Sequence, residues 1–417
     1  MKKSSERIVV VGGGVIGLAC AYYLLLAGRR VTLLDRGRIG GACSHGNCGF
    51  VCPSHVLPLA EPGAVSKGIK ALFEPNSPLA IRPRLDWRLW SWLSNFARRA
   101  NEQDMLEAAR GCQALLDPSF RLYEELIAAE SLDCQWQTKG LLFAFRTAEA
   151  FAAYAATDRL LAERFKLGAR KLTAAELTAF EPALRSGLAG GYFYEHDAHL
   201  RPDRLMSAWK GAFERRGGQV IEGCEFRGFR SAGGQAVGVQ TDQGELPADA
   251  CVVALGAWMP QVEQQLGIRL PIEPGKGYSL TMPRPGRCLR VPVILMEDRV
   301  AVTPFADGYR LGSTMEFAGY DESLRPERLA LLTTGAARFL DEPTAEPVQE
   351  AWYGWRPMTY DGLPVIDWSP RFSNVLLAAG HNMLGLSMAP ATGQLATALV
   401  TGNAPAIDPA PYRVSRF

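Results

Sequence analysis

The stretch Arg7–Asp35, RIVVVGGGVIGLACAYYLLLAGRRVTLLD, decides the fold. Arg7 to Val11 is a short β-branched run of the kind buried on both faces of a parallel sheet. Consecutive glycines follow, and then Val15 to Leu26, rich in alanine and leucine, predicts a helix. Gly28 ends that helix as its C-terminal cap, and Val31 to Leu34 reads as the next buried strand. Strand, glycine turn, helix and strand make one βαβ unit. Gly12, Gly14 and Gly17 satisfy G-x-G-x-x-G within it. The first glycine permits the tight turn, the second lets a pyrophosphate approach the backbone, and the third packs helix against strand. Val15 and Ile16 open the helix whose positive end would face the phosphates. Asp35, at the end of the second strand, can accept hydrogen bonds from an adenosine ribose and would repel a 2′-phosphate, which disfavours NADP.

The residues just beyond Asp35 and Arg36 separate FAD from NAD. Gly40, Gly41, Ser44, Asn47 and Gly49 form a second loop of small residues. FAD requires such a loop, because its pyrophosphate and flavin run on past the first glycine turn. An NAD-dependent dehydrogenase is disfavoured for the same reason.

Composition sets outer bounds. With 417 residues the chain can bury a large core and contain more than one folding unit. The 45 basic and 43 acidic residues leave a net charge of +2, which gives no polyelectrolyte signal for nucleic acid. An odd number of cysteines, nine, argues against a secreted disulfide scaffold and for reduced thiols in the cytoplasm. The start, Met1 to Arg7, carries Lys2, Lys3 and Arg7 ahead of an apolar run, but the run is broken by glycines and ends in no small-residue cleavage site. Its most apolar part, Val15 to Ala27, is too short to span a bilayer, so no transmembrane segment is expected.

Further along, Pro53 to Pro83 is rich in proline and glycine and reads as irregular connection. Leu85, Leu89, Trp92, Leu93 and Phe96 then recur at helical spacing. A longer helix is expected from about Gln103 to Ser131. Leu141 to Phe145 and Gly191 to Tyr194 look like strands, Leu205 to Arg216 like a helix, and Ala250 to Leu255 like an apolar strand ending at Gly256. Short apolar runs broken by proline and glycine from Pro271 to Thr314 suggest an antiparallel sheet. Asn374 to Ala379 is a buried strand and Ala389 to Val400 a closing helix.

Five marks in order give the chain a resemblance to the glycine oxidase and D-amino-acid oxidase family, and most of all to bacterial D-amino-acid dehydrogenases. They are Gly12–Gly17 with Asp35, the Ser44-x-x-Asn47-x-Gly49 loop, the run KGYSL at Lys276–Leu280, GWRPMTYDGLPVID at Gly354–Asp367, and GHNMLGLSMAPATG at Gly380–Gly393. The resemblance covers essentially the whole chain. It implies a Rossmann-type FAD-binding domain with a parallel sheet (1–60, 197–266 and 352–417) and a substrate domain of antiparallel sheet and helices (61–196 and 267–351). It implies non-covalent FAD, since the cysteine that anchors flavin in monomeric sarcosine oxidases is absent from Tyr353 to Asp361. The implied reaction is hydride transfer from Cα to flavin N5, the imino acid being hydrolysed to 2-oxo acid and ammonium. Cyclic and N-substituted amino acids (D-hydroxyproline, proline, sarcosine) are the nearest alternative substrates. A non-catalytic FAD-binding subunit of an electron-transfer complex is the alternative from another class.

The same resemblance assigns roles. Arg356 grips the substrate carboxylate, a task suited to a planar fork; its structural alternative is a pairing with Asp361 or Asp367. Gly354 and Gly380 to Gly385, with His381, Met383 and Leu384, bring backbone near the flavin, and the N-terminus of the Ala389 helix behind them stabilises negative charge on the reduced ring. His381 contacts flavin or substrate or is a packed histidine, and Tyr278 forms the pocket wall or is core. Ala301 stands where glycine oxidase carries a substrate tyrosine, and His45 and Cys48 are unusual members of the second loop. The electron acceptor implied is a quinone or the respiratory chain, with a cytoplasmic protein peripheral to the inner face of the membrane.

Other signals carry less. Cys43, Cys48 and Cys52 cluster near the second loop, with His45 or His55 as a further ligand, but lack C-x-x-C pairs, so no metal site is expected. His196 and His199 flank Asp197 ahead of a turn into the Leu205 helix, which suggests a helix-entry role. Trp87, Trp90 and Trp92, among Arg82, Arg84, Arg88, Arg98 and Arg99, fit a core-facing helix or a membrane-docking one.

Overall fold

The computed structural model describes residues 6–74 and 76–417, so the basic pair Lys2 and Lys3 lies outside the described residues. Arg7–Val11 sits inside a six-stranded sheet, between Ala250–Val253 and Arg30–Leu34, and pairs in parallel with both. Gln219–Ile221 and Val375–Ala379 extend the sheet in parallel on either side, and Val365–Trp368 closes one edge antiparallel. The inner strands are almost wholly apolar because both faces are covered. On one face the helices Val15–Leu26, Pro202–Arg215 and Gly385–Thr401 close a core around Leu18, Trp209 and Ala389. Helices one and three approach closely: a Cβ on Gly393 would lie 2.7 Å from the Ala19 carbonyl oxygen.

A nine-stranded sheet forms the second layer. Its order is Glu350–Thr359, Ile272–Met282, Gly308–Phe317, Val300–Phe305, Val293–Leu295, Leu141–Phe145, Gly190–Tyr194 and Arg170–Thr173, with Leu79–Ile81 also pairing Gly308–Phe317. The pairs are antiparallel except Val293–Leu295 with Leu141–Phe145, and Gly308–Phe317 with Leu79–Ile81. The expected domain boundary at 352 is corrected here. Glu350–Thr359 pairs with Ile272–Met282 from Thr359 to Glu350, so it belongs to this sheet and not to the dinucleotide-binding layer.

Two further expectations change. The span Pro53 to Pro83 is not wholly irregular, since it holds the helix Ala64–Leu72 and the strand Leu79–Ile81. The closing helix begins at Gly385, one turn before Ala389, and carries Pro390 in its second turn, where one intrahelical hydrogen bond to the Leu386 carbonyl is forgone. The helix at Trp87–Arg99 is capped by Asp86, whose carboxylate accepts from the Arg88 amide. It turns Leu89 and Trp92 inward and leaves Trp87 and Trp90 exposed.

Candidate active site

A cavity of about 1320 Å³ runs between the two sheets, well above the roughly 300–1,000 Å³ of an ordinary small-molecule pocket. At one end stands the glycine turn. Gly12 has φ +108°, open to glycine, and a Cβ on Gly17 would fall 1.8 Å from the Gly12 carbonyl oxygen. Gly17 therefore packs under the turn, while Gly12, Gly14, Val15 and Ile16 line the cavity. Asp35 accepts the Gly13 amide on one carboxylate oxygen and the Gly37 amide on the other, each at 2.7 Å, which fixes it at the cavity edge. Arg36 lies over the Trp258 ring at 4.8 Å, just past Gly256 with φ +55°.

The second loop is held by its own side chains. Ser44 Oγ accepts the Val15 amide at 3.0 Å, and Asn47 spans the turn from the Ser44 carbonyl to the Gly49 amide. Arg310, buried in the nine-stranded sheet, donates to the carbonyls of His45 and Asn47 at 3.3 and 2.8 Å. His45 Nε2 meets Glu350 Oε1 at 2.7 Å, which raises the imidazole pKa and lowers that of the carboxyl.

Arg356 stands on the cavity wall, its guanidinium laid across Gly277, where a Cβ would meet Nη1 at 2.4 Å. Nη1 donates to the Thr314 carbonyl at 2.8 Å. Ser313 and Thr314 adopt φ +113° and +56°, unusual for side-chain-bearing residues, and this kink turns the Thr314 carbonyl onto the guanidinium. The suggested pairing with Asp361 or Asp367 does not occur. Asp361 pairs with Arg416 at 2.6 Å, and Asp367 accepts the Val414 amide at 2.8 Å. Among the described residues no carboxylate pairs with Arg356, and burial lowers its pKa. A half-buried cation facing a cavity with no anion beside it is suited to a ligand that supplies one.

Tyr278 is corrected. It contributes to the back of the cavity, but strand alternation turns its side chain away from the face that carries Gly277 and Arg356. Its hydroxyl donates to Glu316 at 2.7 Å within the second core, so the side chain is packed as core. His381 lines the cavity, is 2% exposed, and bonds Thr392 Oγ1 through Nε2 at 3.0 Å. Burial pushes its pKa down to about 3, so the ring is neutral. Gly380, with φ +76°, turns the chain, while Gly354, Met383, Leu384 and Gly385 line the cavity beside the N-terminus of Gly385–Thr401.

Cys43, Cys48 and Cys52 do not form one cluster. Among the described residues the group that could hold a metal is Cys52, His55 and Asp197, with ligating atoms within 4.8 Å of one another. Asp197 is buried instead of merely entering a helix: both oxygens receive Ser54, from its amide and its hydroxyl, and burial raises its pKa to about 7. In the sequence Asp197 stands only beside two histidines and Gly277 only within the KGYSL run; the contacts each makes are not readable there, because each acts through a partner distant in the chain.

The pieces fit FAD. Two helix N-termini, an acidic ribose site and two glycine loops open on one elongated cavity large enough for the whole dinucleotide. The model of the DAO family, FAD dependent oxidoreductase, matches residues 7–399. The chain belongs to that family. As a DAO-family member it is an FAD-dependent oxidoreductase, and the Rossmann-type fold expected for it is the one observed. It is 34% identical to the D-amino acid dehydrogenase of Methylobacterium nodulans over 96% of each chain. It is 34% identical to that of Xanthobacter autotrophicus over 99% of each. Among solved structures, glycine oxidase from Geobacillus kaustophilus superposes with a TM-score of 0.79 at 24% identity over 99% of both chains. L-proline dehydrogenase from P. horikoshii gives 0.74 at 20% identity, over 99% of this DAO-family chain and 98% of that one. Such neighbours share the family fold.

Proposed function

We propose that this flavoprotein oxidises D-amino acids, with Arg356 as the carboxylate clamp. The observation that carries the reading is a half-buried guanidinium on the cavity wall with no carboxylate among the described residues to neutralise it. The curated relatives named D-amino acid dehydrogenase support the same substrate class. Gly12, Gly14, Val15, Asp35, Ser44 and Asn47 would hold the dinucleotide end of FAD, and Gly354 with His381 to Gly385 the flavin end. Bound there, FAD supplies the acceptor for the two electrons of the Cα–H bond.

Arg356 orients the substrate. A bidentate grip fixes the carboxylate and thereby which face of Cα is presented. The Thr314 carbonyl and the bare surface of Gly277 hold the guanidinium in place. The substrate amine surrenders its proton to water, since His381 is a neutral, bonded ring and Tyr278 faces the other core. Loss of hydride from Cα then gives an imino acid, and water converts it to 2-oxo acid and ammonium.

The electron acceptor belongs to the same proposal. Among the described residues no helix is long and apolar enough to cross a membrane. The cavity rim carries Ile69, Leu72 and Trp90, respectively 55%, 45% and 53% exposed, with Lys67 beside them and the exposed Trp87 one turn before Trp90 on the same helix. Apolar and basic side chains on one rim suit peripheral contact with an anionic membrane that holds a quinone. Co-flotation with anionic vesicles, weakened in Trp87→Ser/Trp90→Ser, tests the contact.

The experiment for the function is a substrate screen. Purified yellow protein is assayed against D- and L-amino acids, sarcosine, proline and D-hydroxyproline, with an artificial dye and then with oxygen alone. D-amino acids should reduce the dye and their L-enantiomers should not. Preference for an L-amino acid or glycine overturns the reading.

A further inference from the structure

One row of cross-strand partners runs over the nine-stranded sheet below the cavity: Trp352, Ser279, Gly312, Ala301, Ile294 and Phe143. Directly paired residues point to the same face. The second loop covers one end of this row. A Cβ on Gly46 would lie 2.2 Å from the Trp352 indole, Ser279 Oγ donates to the Gly46 carbonyl at 2.8 Å, and a Cβ on Gly312 would meet Cys48 Sγ at 2.5 Å. His55 covers the other end, its ring edge-on to Phe143 with centroids 5.5 Å apart. Between the covered ends Ala301 and Ile294 line the cavity.

The clamp stands close to this opening. Arg356 rests on Gly277 and on the Thr314 carbonyl, each one side-chain repeat along its strand from the row, a step of about 7 Å. Ala301 is one strand further, about 5 Å across the sheet. A methyl group on Cα would fall short of that floor, whereas a branched chain, a thioether or a ring would cover it. On the far rim Glu297 Oε1 accepts the Arg146 and Thr147 amides, both at 2.9 Å, and Arg299 lines the cavity beside it.

We propose that Ala301 and Ile294, ended by Phe143, form the pocket for the substrate side chain, and that the enzyme favours D-amino acids with large apolar side chains, such as leucine, methionine and phenylalanine, over D-alanine. This rests on the function proposed above.

The test compares kcat/KM for D-leucine, D-methionine, D-phenylalanine and D-alanine with a dye acceptor. In parallel, calorimetry on the flavin-loaded protein measures the affinities of 4-methyl-2-oxopentanoate and pyruvate, the corresponding products. The larger side chains should win by about tenfold or more in both series. Ala301→Leu should cut the D-leucine to D-alanine ratio by about tenfold while flavin content stays normal. Equal or better use of D-alanine, or a ratio unmoved by Ala301→Leu, overturns the pocket. If no D-amino acid reduces the dye, the proposed function fails, and the product affinities still decide the pocket. Tighter binding of the longer acid that Ala301→Leu abolishes supports it; equal affinities overturn it.

Discussion

In the proposed reaction Arg356 carries the grip on the substrate in one side chain, and its replacement by lysine separates a clamp from a merely structural cation. Lysine keeps the charge but not the fork. Arg356→Lys should lower kcat/KM about ten- to a hundredfold, the effect of losing one charge-assisted contact. Flavin absorbance should stay near that of the unmodified protein; loss of flavin would assign Arg356 a structural role. Gly277→Ala is the companion test, because a methyl group 2.4 Å from Nη1 must displace the guanidinium. It should impair turnover in the same direction, and combining it with Arg356→Lys should add little, since both changes remove one interaction. The proposed clamp could be named from the sequence through the GWRPMTYDGLPVID motif, and the structure puts Arg356 on the cavity wall. Its support was not legible: Gly277 reads as a glycine in a strand, and the Ser313–Thr314 kink has no glycine to announce it. Tyr278 shows the complementary error, a motif residue whose strand parity turns it into the wrong core.

At the level of elements, the βαβ unit was readable because its signals are local. Strand, turn and helix each carry their own composition, and the glycine spacing joins them. Gly17→Ala should therefore be severe, since a Cβ 1.8 Å from the Gly12 carbonyl oxygen forces helix and strand apart. The expected result is protein that loses FAD on gel filtration. Asp35→Ala should be milder. It removes the acceptor for the Gly13 and Gly37 amides along with the ribose contact, so FAD affinity should fall while the far-ultraviolet dichroism is kept. The nine-stranded sheet resisted the same treatment. Glu350–Thr359 pairs with Ile272–Met282 across a long separation in sequence, and no local pattern specifies that choice. The helix Ala64–Leu72 hid in a proline- and glycine-rich span for a different reason: it is only nine residues long with Gly68 inside it, and its short Val65–Ile69–Leu72 stripe is not fully buried.

Across the whole molecule, the second glycine loop is where the two sheets meet, and Arg310, Glu350 and His45 tie them. The His45–Glu350 pair makes this tie pH-dependent. His45 has a raised pKa, so its contribution is complete below its ordinary value of 6.5 and is lost as pH rises through the raised one. Glu350 has a lowered pKa, so its contribution is present above 4.5 and is lost as pH falls through the lowered one. Both side chains are about a third exposed, and such a pair is worth below about 1 kcal/mol. Thermal midpoints measured against pH should show a shallow maximum between those values, and His45→Gln should flatten its alkaline side by roughly a degree or two. The strand order of the six-stranded sheet has a further consequence during synthesis. Arg7–Val11 emerges from the ribosome well before Ala250–Val253, one of its two partners. At about 5–20 residues per second, translation leaves that apolar edge unpaired for tens of seconds. The nascent chain must be shielded through that interval, so output of soluble enzyme in cells will follow chaperone supply and translation speed more closely than it follows the stability of the finished fold.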